Sequence, residues 1–285
     1  MKKIGFIDYY LDEWHANNYP AWISASEIDG FEISYAWAAM DKPGGLGTKA
    51  WCERFSVKPM PSVEALVAAS DCLVVLSPDH PEQHETLARV ALQSGKPTYI
   101  DKTFAPDLAA AVRLFAQAEA GHTPLYSTSA LRYAQELKWL EEQKLGQADV
   151  TYMATRGPGQ FSSYVIHQLE MIVRMMGPGA RRAMAVGTAE VPVILYTYDD
   201  GRSSQISQLP WTGFSFVIQA SGQQGTARDI KADFWQPFID DLLRFFTDGK
   251  PPVPARETCA TIAMRDAGLQ AMAEPGKWIA VPGHV

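Results

Sequence analysis

Five short stretches carry residue types that can do chemistry. In "YIDKTF" (99–104) Lys102 comes directly after a mostly apolar strand, so its ammonium is held near the strand's carboxyl end. A lysine there can bond a substrate oxygen and ease proton loss from an alcohol, or act as acid or base if partial burial lowers its pKa. The plain alternative is an exposed lysine at a strand end. In "SSYVIHQLEMIVRMMG" (162–177) His167 and Glu170 are three apart and share a helical face, with His167 expected in about the first turn. Imidazole titrates near neutral pH, which favours a general base, against a buried structural histidine as the competing reading. No further ligands stand at usable spacing, so a metal centre is not expected.

"SPDHPEQH" (77–84) leaves a strand with Ser77, Pro78, Asp79, His80 and His84, which could touch a cofactor or substrate. Pro81 with Glu82 also reads simply as a helix start, with His84 inside that helix as a surface or interface residue. In "MDKPGGLG" (40–47) Asp41 is placed either to bond adenosine ribose hydroxyls or to open a turn before Pro43 and Gly44. The fifth stretch is "DYYLDEWH" (8–15): where a dinucleotide-binding fold needs a glycine-rich turn, there are two tyrosines followed by Asp12 and Glu13.

These stretches sit in two kinds of surroundings. Strands are expected over 3–8, 31–41, 71–77 and 96–101, alternating with helices near 13–26, 47–54, 81–95 and 106–121. That alternation predicts parallel strands joined by crossover helices. Beyond it come helices over 130–143 and 164–177, a strand near 148–156, and strands near 182–189, 192–199, 203–209 and 214–221, joined by turn-rich pieces. Helices over 232–249 and 256–274 close the chain. The expected class is α/β: a Rossmann-like, doubly wound parallel sheet over 1–126, then an α+β domain over 127–285 with an open, mostly antiparallel sheet. In an open parallel sheet, ligands bind at the carboxyl edge of the strands, where four of the five stretches fall.

Composition excludes several functions. A net charge of -7 with pI near 5.4 offers no basic concentration for nucleic acid or an anionic membrane. Cys52, Cys72 and Cys259 are widely spaced without a C-x-x-C pair, which suggests neither a disulfide framework nor a zinc site and fits a reducing cytoplasm. The N-terminal strand contains acids instead of a signal peptide's apolar core, and no apolar run approaches the ~18 to 20 residues of a membrane span.

Taken together, "DCLVVLSPDHPEQHETLARVALQSGKPTYIDKTFAPDLAAAVRLFAQAEA", "RYAQELKWLEEQKLGQADV", "IHQLEMIVRMMGPG" and "FWQPFIDDLLRFFTDGKPPVPARETCATIAMRDAGLQA" resemble the Gfo/Idh/MocA family of NAD(P)-dependent oxidoreductases in order and spacing. Asp101-Lys102-Thr103 stands in the family's Glu-Lys-Pro place. The resemblance implies hydride transfer between nicotinamide and a sugar- or polyol-like compound, with Lys102 bonding the reacting oxygen and His167 moving its proton. It implies cofactor contacts from Asp8, Tyr9, Tyr10, Asp41, Ser77, Pro78, Asp79 and Asp101, and substrate contacts from Arg132, Tyr133, Tyr164 and Glu170. NAD is favoured by Asp41, while Lys42 beside it leaves NADP open. A homodimer or homotetramer is the implied assembly.

The departures keep two other functions open: a sugar-binding or regulatory homologue that has lost its dinucleotide, and a lyase or glycoside-cleaving enzyme on the same scaffold. The glycine-rich turn is replaced, Thr103 stands for proline, and Ser163 occupies the position four before His167 where the family often has an acid. Tyr9, Tyr10, Asp12, Glu13 and His15 are therefore expected either to hold a dinucleotide in an unusual pose or to fill its phosphate space themselves.

Overall fold

The computed structural model describes residues 1–283. Its first strand, β1 (Lys2–Asp8), is buried without interruption from Ile4 to Asp8, as a strand covered on both sheet faces must be. β1 pairs in parallel with β2 (Phe31–Ala38) on one side and β4 (Cys72–Val75) on the other. With β3 (Lys58–Pro59), β5 (Thr98–Ile100) and β6 (Leu125–Tyr126), the parallel sheet runs β3-β2-β1-β4-β5-β6. This is the dinucleotide-binding order, and it puts the switch point between β1 and β4.

The connecting helices are α1 (Trp14–Ser24), α2 (Thr48–Phe55), α3 (Val63–Ala69), α4 (His84–Ala88) and α5 (Leu108–Ala120). Their starts are written in capping residues: Ser62 accepts from the Ala65 amide at 3.2 Å for α3, and Asp107 from the Ala110 amide at 2.8 Å for α5. Phe6 of β1 meets Tyr19 of α1 at 6.2 Å and Trp51 of α2 at 6.4 Å between ring centres. The Trp51 indole donates to Asn17 Oδ1 at 2.9 Å, fastening the two helices together. The helix expected over 81–95 is α-helical only over His84–Ala88, with 3₁₀ turns at Pro81–Gln83 and Ala91–Gln93. His84 is no surface residue: it is fully buried, its ring nitrogens 2.9 and 2.6 Å from the carbonyl oxygens of Phe104 and Leu76.

A second unit begins at Ser129. The helix expected over 130–143 is interrupted at Ala134, whose ψ of 131° is extended, so only α6 (Trp139–Gln143) winds as α-helix. β7 (Val150–Gly157) leads to α7 (Phe161–Met176), then β8 (Ala180–Gly187), β9 (Pro192–Tyr198), β10 (Ser203–Gln208), β11 (Ser215–Ala220) and β12 (Gly225–Asp229). The chain returns to the first unit through α8 (Trp235–Asp248), and closes in the second with α9 (Ala255–Ala273) and β13 (Ile279–Ala280). The second sheet runs β12-β11-β7-β10-β9-β8-β13, antiparallel at every pairing except β10 with β7.

Strand β9 alternates buried and half-buried residues, as a sheet covered on one face requires. The cover includes α9, where Met264 O accepts from the Tyr196 hydroxyl at 3.0 Å.

The compact units are thus 1–128 with 235–254, and 129–234 with 255–285, in place of one crossing at residue 126. The reason is aromatic packing: Trp235 of α8 stacks on Trp22 of α1 at 4.6 Å, and Asp240 accepts from Ser26 Oγ at 2.6 Å. Strands β12 and β13 and helix α3 are short or polar enough to carry no clear periodicity. Among the described residues no helix is long and apolar enough to cross a membrane, and Cys52, Cys72 and Cys259 are free and buried.

The tightest fit on the parallel sheet is at Gly5, where a Cβ would stand 2.3 Å from Ser70 Oγ and 2.6 Å from Leu66 Cδ2. Gly5→Ala is expected to cost ~1–3 kcal/mol by forcing α3 away from β1. Urea unfolding checks this, and an unchanged midpoint would show that the strand and helix can separate freely.

Candidate functional site

At the carboxyl ends of β1 and β4, Asp8, Tyr9, Tyr10, Glu13, Ser77, Pro78, Asp79 and His80 line one cleft. Six of the eight residues expected to touch a cofactor are therefore brought together: Asp8, Tyr9, Tyr10, Ser77, Pro78 and Asp79. The cleft is shallow, with about 150 Å³ of non-atom space that is partly open to solvent. Its walls are aromatic and acidic. The His80 ring lies 4.9 Å from Tyr9 and 5.6 Å from Tyr10, and the Tyr10 hydroxyl is 3.3 Å from His80 Nε2. Ser77 takes a left-handed backbone, φ 76°, uncommon for a residue with a side chain, and its hydroxyl donates to His80 O at 3.2 Å.

The turn after β1 is built from its own side chains. Glu13 is the N-cap of α1; its carboxylate accepts from the His15 amide at 2.7 Å and, at a shorter distance, from the Ala16 amide. Helix N-termini leave such amides open for an anion, and here the anion is internal. His15 Nδ1 in turn contacts Asp101 Oδ2, both groups being buried. Asp101 Oδ1 also accepts from the Tyr99 hydroxyl at 3.1 Å and from the Lys102 amide at 2.8 Å. So Asp101 links the start of α1 to the residue that follows β5. Lys102 itself is half-buried, and its peptide bond to Thr103 is cis.

Three carboxyl groups, Asp8, Glu13 and Asp101, are thus nine-tenths or more out of water beside one imidazole. Burial and then the Glu13 charge push Asp8 well above the usual carboxylate range, and its Oδ2 has no hydrogen-bond partner among the described residues. Burial also lifts Glu13 from 4.5 to about 7, although His15 and the two helix amides pull it down. For Asp101, burial raises the carboxyl, but the His15 contact and charge, with Lys102, more than offset it, leaving it below its ordinary value. One carboxylate is held ionised, and its neighbours hold protons to higher pH.

The other acids of this region face elsewhere. Asp12 accepts from the Leu46 amide at 2.9 Å and from Asn17 Nδ2 at 3.0 Å, stitching the turn to the loop after β2. Lys42 donates to Asp12 O at 2.6 Å. Asp41 is exposed and accepts from the Thr48 amide at 2.6 Å, so it caps α2 and stands outside the cleft lining.

In the second unit, His167 lies in the second turn of α7, because the helix starts at Phe161, earlier than its apolar run suggests. Ser129 Oγ is 2.6 Å from His167 Nδ1, while Tyr164 and Phe214 present ring edges to the imidazole at 5.5 and 5.6 Å. Glu170 bonds Arg132 at 3.1 Å, and Arg132 also contacts Glu257 of α9. Arg132 and Glu170 therefore form a nearly buried ion triad that ties α7 and α9 to the segment after Ser129. Tyr164 is exposed and Tyr133 half-buried. Ser129 and Glu257 were not among the expected site residues, because both act on partners far away in the sequence. Glu13 was expected in the phosphate space, and the structure shows it there as the cap of α1.

Comparison with known proteins places this geometry. Residues 35–128 match the Gfo/Idh/MocA family, described as an oxidoreductase family with an NAD-binding Rossmann fold. A UDP-N-acetylglucosamine 3-dehydrogenase of Acidithiobacillus ferrooxidans is 25% identical over 282 residues, spanning 90% of this chain and 82% of that protein. The scyllo-inositol dehydrogenase of Lactobacillus casei superposes with a TM-score of 0.79 at 14% identity, over 99% of this chain and 98% of its own. The WlbA dehydrogenase of Bordetella pertussis, solved with NADH and UDP-GlcNAcA, gives 0.76 at 15% identity, over 99% of each chain. At those identities the two structures establish the fold. NAD is the cofactor of the matched family, and the sheet order suits a dinucleotide, but the turn does not fit its diphosphate. The two helix amides are already bonded, and the wall beside them is acidic.

The raised Glu13 carboxyl has a consequence for stability. A folded-state pKa above the ordinary value means that the stabilisation is complete below about 4.5 and is lost as pH rises through about 7. Glu13→Gln cannot ionise, so the wild type's advantage in Tm over this variant is expected to shrink by several degrees across that window. Thermal unfolding of both proteins between these pH values checks it; a constant difference would mean that Glu13 ionises as it does in water.

Proposed function

We propose that this member of the Gfo/Idh/MocA oxidoreductase family interconverts an alcohol and a carbonyl on a small hydroxylated, sugar-like molecule. The observation that carries the reading is the position of Lys102, directly beyond β5 in the family's NAD-binding sheet, with its amide fixed by the buried Asp101. In that position a lysine ammonium donates to the substrate oxygen and stabilises the negative charge that gathers there as the proton leaves. His167 moves that proton, with its ring oriented by Ser129. Hydride exchange is the chemistry that NAD supplies to the family when bound.

The sugar-like substrate is supported by the relatives, which are dehydrogenases of UDP-N-acetylglucosamine and of an inositol. Tyr164, half-exposed beside His167, is the best-placed of the proposed substrate contacts, whereas Arg132 and Glu170 support the helix that carries His167. The same reading takes the first unit as the cofactor side, the second as the substrate and assembly side, the working form as a homodimer or homotetramer, and the cytoplasm as its location. The residues that disagree with it are Glu13 and Asp8, which favour a homologue with an altered cofactor seat.

The test is turnover on a panel of nucleotide sugars, inositols and sugar acids, followed by absorbance of the reduced nicotinamide. Lys102→Ala and His167→Asn are each expected to lower kcat by about 10²–10⁴-fold with little change in Tm. Full activity in either folded variant would remove that residue from the mechanism.

A further inference from the structure

We infer that the N-terminus of α1 is closed to a diphosphate by the chain's own Glu13 carboxylate, so this chain does not seat a dinucleotide on that helix. The inference concerns binding alone and stands whether or not the proposed substrate is turned over.

A dinucleotide sheet normally presents the first amides of this helix, after a turn without side chains, to the pyrophosphate. Here the His15 and Ala16 amides both donate to Glu13, and the Glu13 carbonyl accepts from the Asn17 amide at 3.0 Å, so three successive amides are already taken. Glu13 is 5% exposed and cannot swing out without opening the turn. That turn is held at both ends: Asp12 bonds Leu46 and Asn17, and His15 contacts Asp101.

The rest of the cleft points the same way. Tyr9 and Tyr10 put rings where the glycine turn would leave open space, and their contacts with His80 close the opposite wall. Asp8, 1% exposed and with no hydrogen-bond partner for Oδ2 among the described residues, lines the cleft beside Glu13. Asp79 lines it from the loop after β4. No lysine or arginine stands among the cleft's lining residues. A diphosphate placed there would meet carboxyl groups and ring faces. A nicotinamide dinucleotide bound by this chain must therefore hold its diphosphate by other groups.

Isothermal titration with ADP, NAD and adenosine tests this on the whole protein. Wild type is expected to bind ADP more weakly than about 1 mM, as a site without open amides should. Glu13→Gly, which keeps a tolerated N-cap residue and frees both amides, is expected to tighten ADP and NAD at least about tenfold while leaving adenosine unchanged. Glu13→Ala, which likewise leaves both amides without a side-chain acceptor, serves if the glycine variant does not fold. ADP and NAD affinities unchanged in both folded variants would overturn the inference. So would movement of the wild-type His15 and Ala16 amide resonances on titration with ADP, a readout that needs no variant.

Discussion

A carboxylate capping a buried helix end is the constraint from which this protein's first unit follows. Once Glu13 satisfies the first amides of α1, it must stay out of water, and its neighbours must tolerate it there. His15 and Asp101 meet that demand as a buried contact pair. Because Asp101 also takes the Lys102 amide, the geometry of the helix start is transmitted to the end of β5. A buried ionisable group without such partners would cost several kcal/mol or change its protonation. Asp8, which lacks a partner for Oδ2, does the second.

The sheet order is that of a dinucleotide-binding domain, and residues 35–128 match the Gfo/Idh/MocA family. The loop after β1 has exchanged an anion-binding backbone for an acidic, aromatic wall. The second unit is organised differently, around Arg132, whose two carboxylate partners brace α7 and α9 while Ser129 orients His167. In the first unit carboxyl groups outnumber cations, and protonation takes up the difference.

The fold was legible because its strongest signals are local. Continuous apolar runs such as Cys72–Val75 and capping residues such as Asp107 act within a few positions of themselves. The parallel sheet, the mixed second sheet and most helices follow from them. What was not legible depends on distant partners. Asp41 follows a strand as a ribose-binding acid would, yet it bonds Thr48 seven residues on. Arg132 and Glu170 looked like substrate contacts until Glu257, 125 residues from Arg132, completed their triad. Helix α8 follows the second unit's strands in sequence but packs its Trp235 on Trp22 of the first unit. The missing glycines were plain at once, and their replacement by tyrosines and acids left open either an unusual dinucleotide pose or a filled phosphate space. That Glu13 fills it as a helix cap needed the backbone geometry.

The acids of the turn belong to an internal network anchored by His15 and Asp101. A double-mutant cycle with His15→Gln and Asp101→Asn, read by urea unfolding, measures that anchor directly. A coupling energy of at least ~1 kcal/mol is expected between the two sites, as for a buried pair in contact. Single-variant effects that add to within ~0.3 kcal/mol would contradict it, and would mean that the turn is held by something other than this pair.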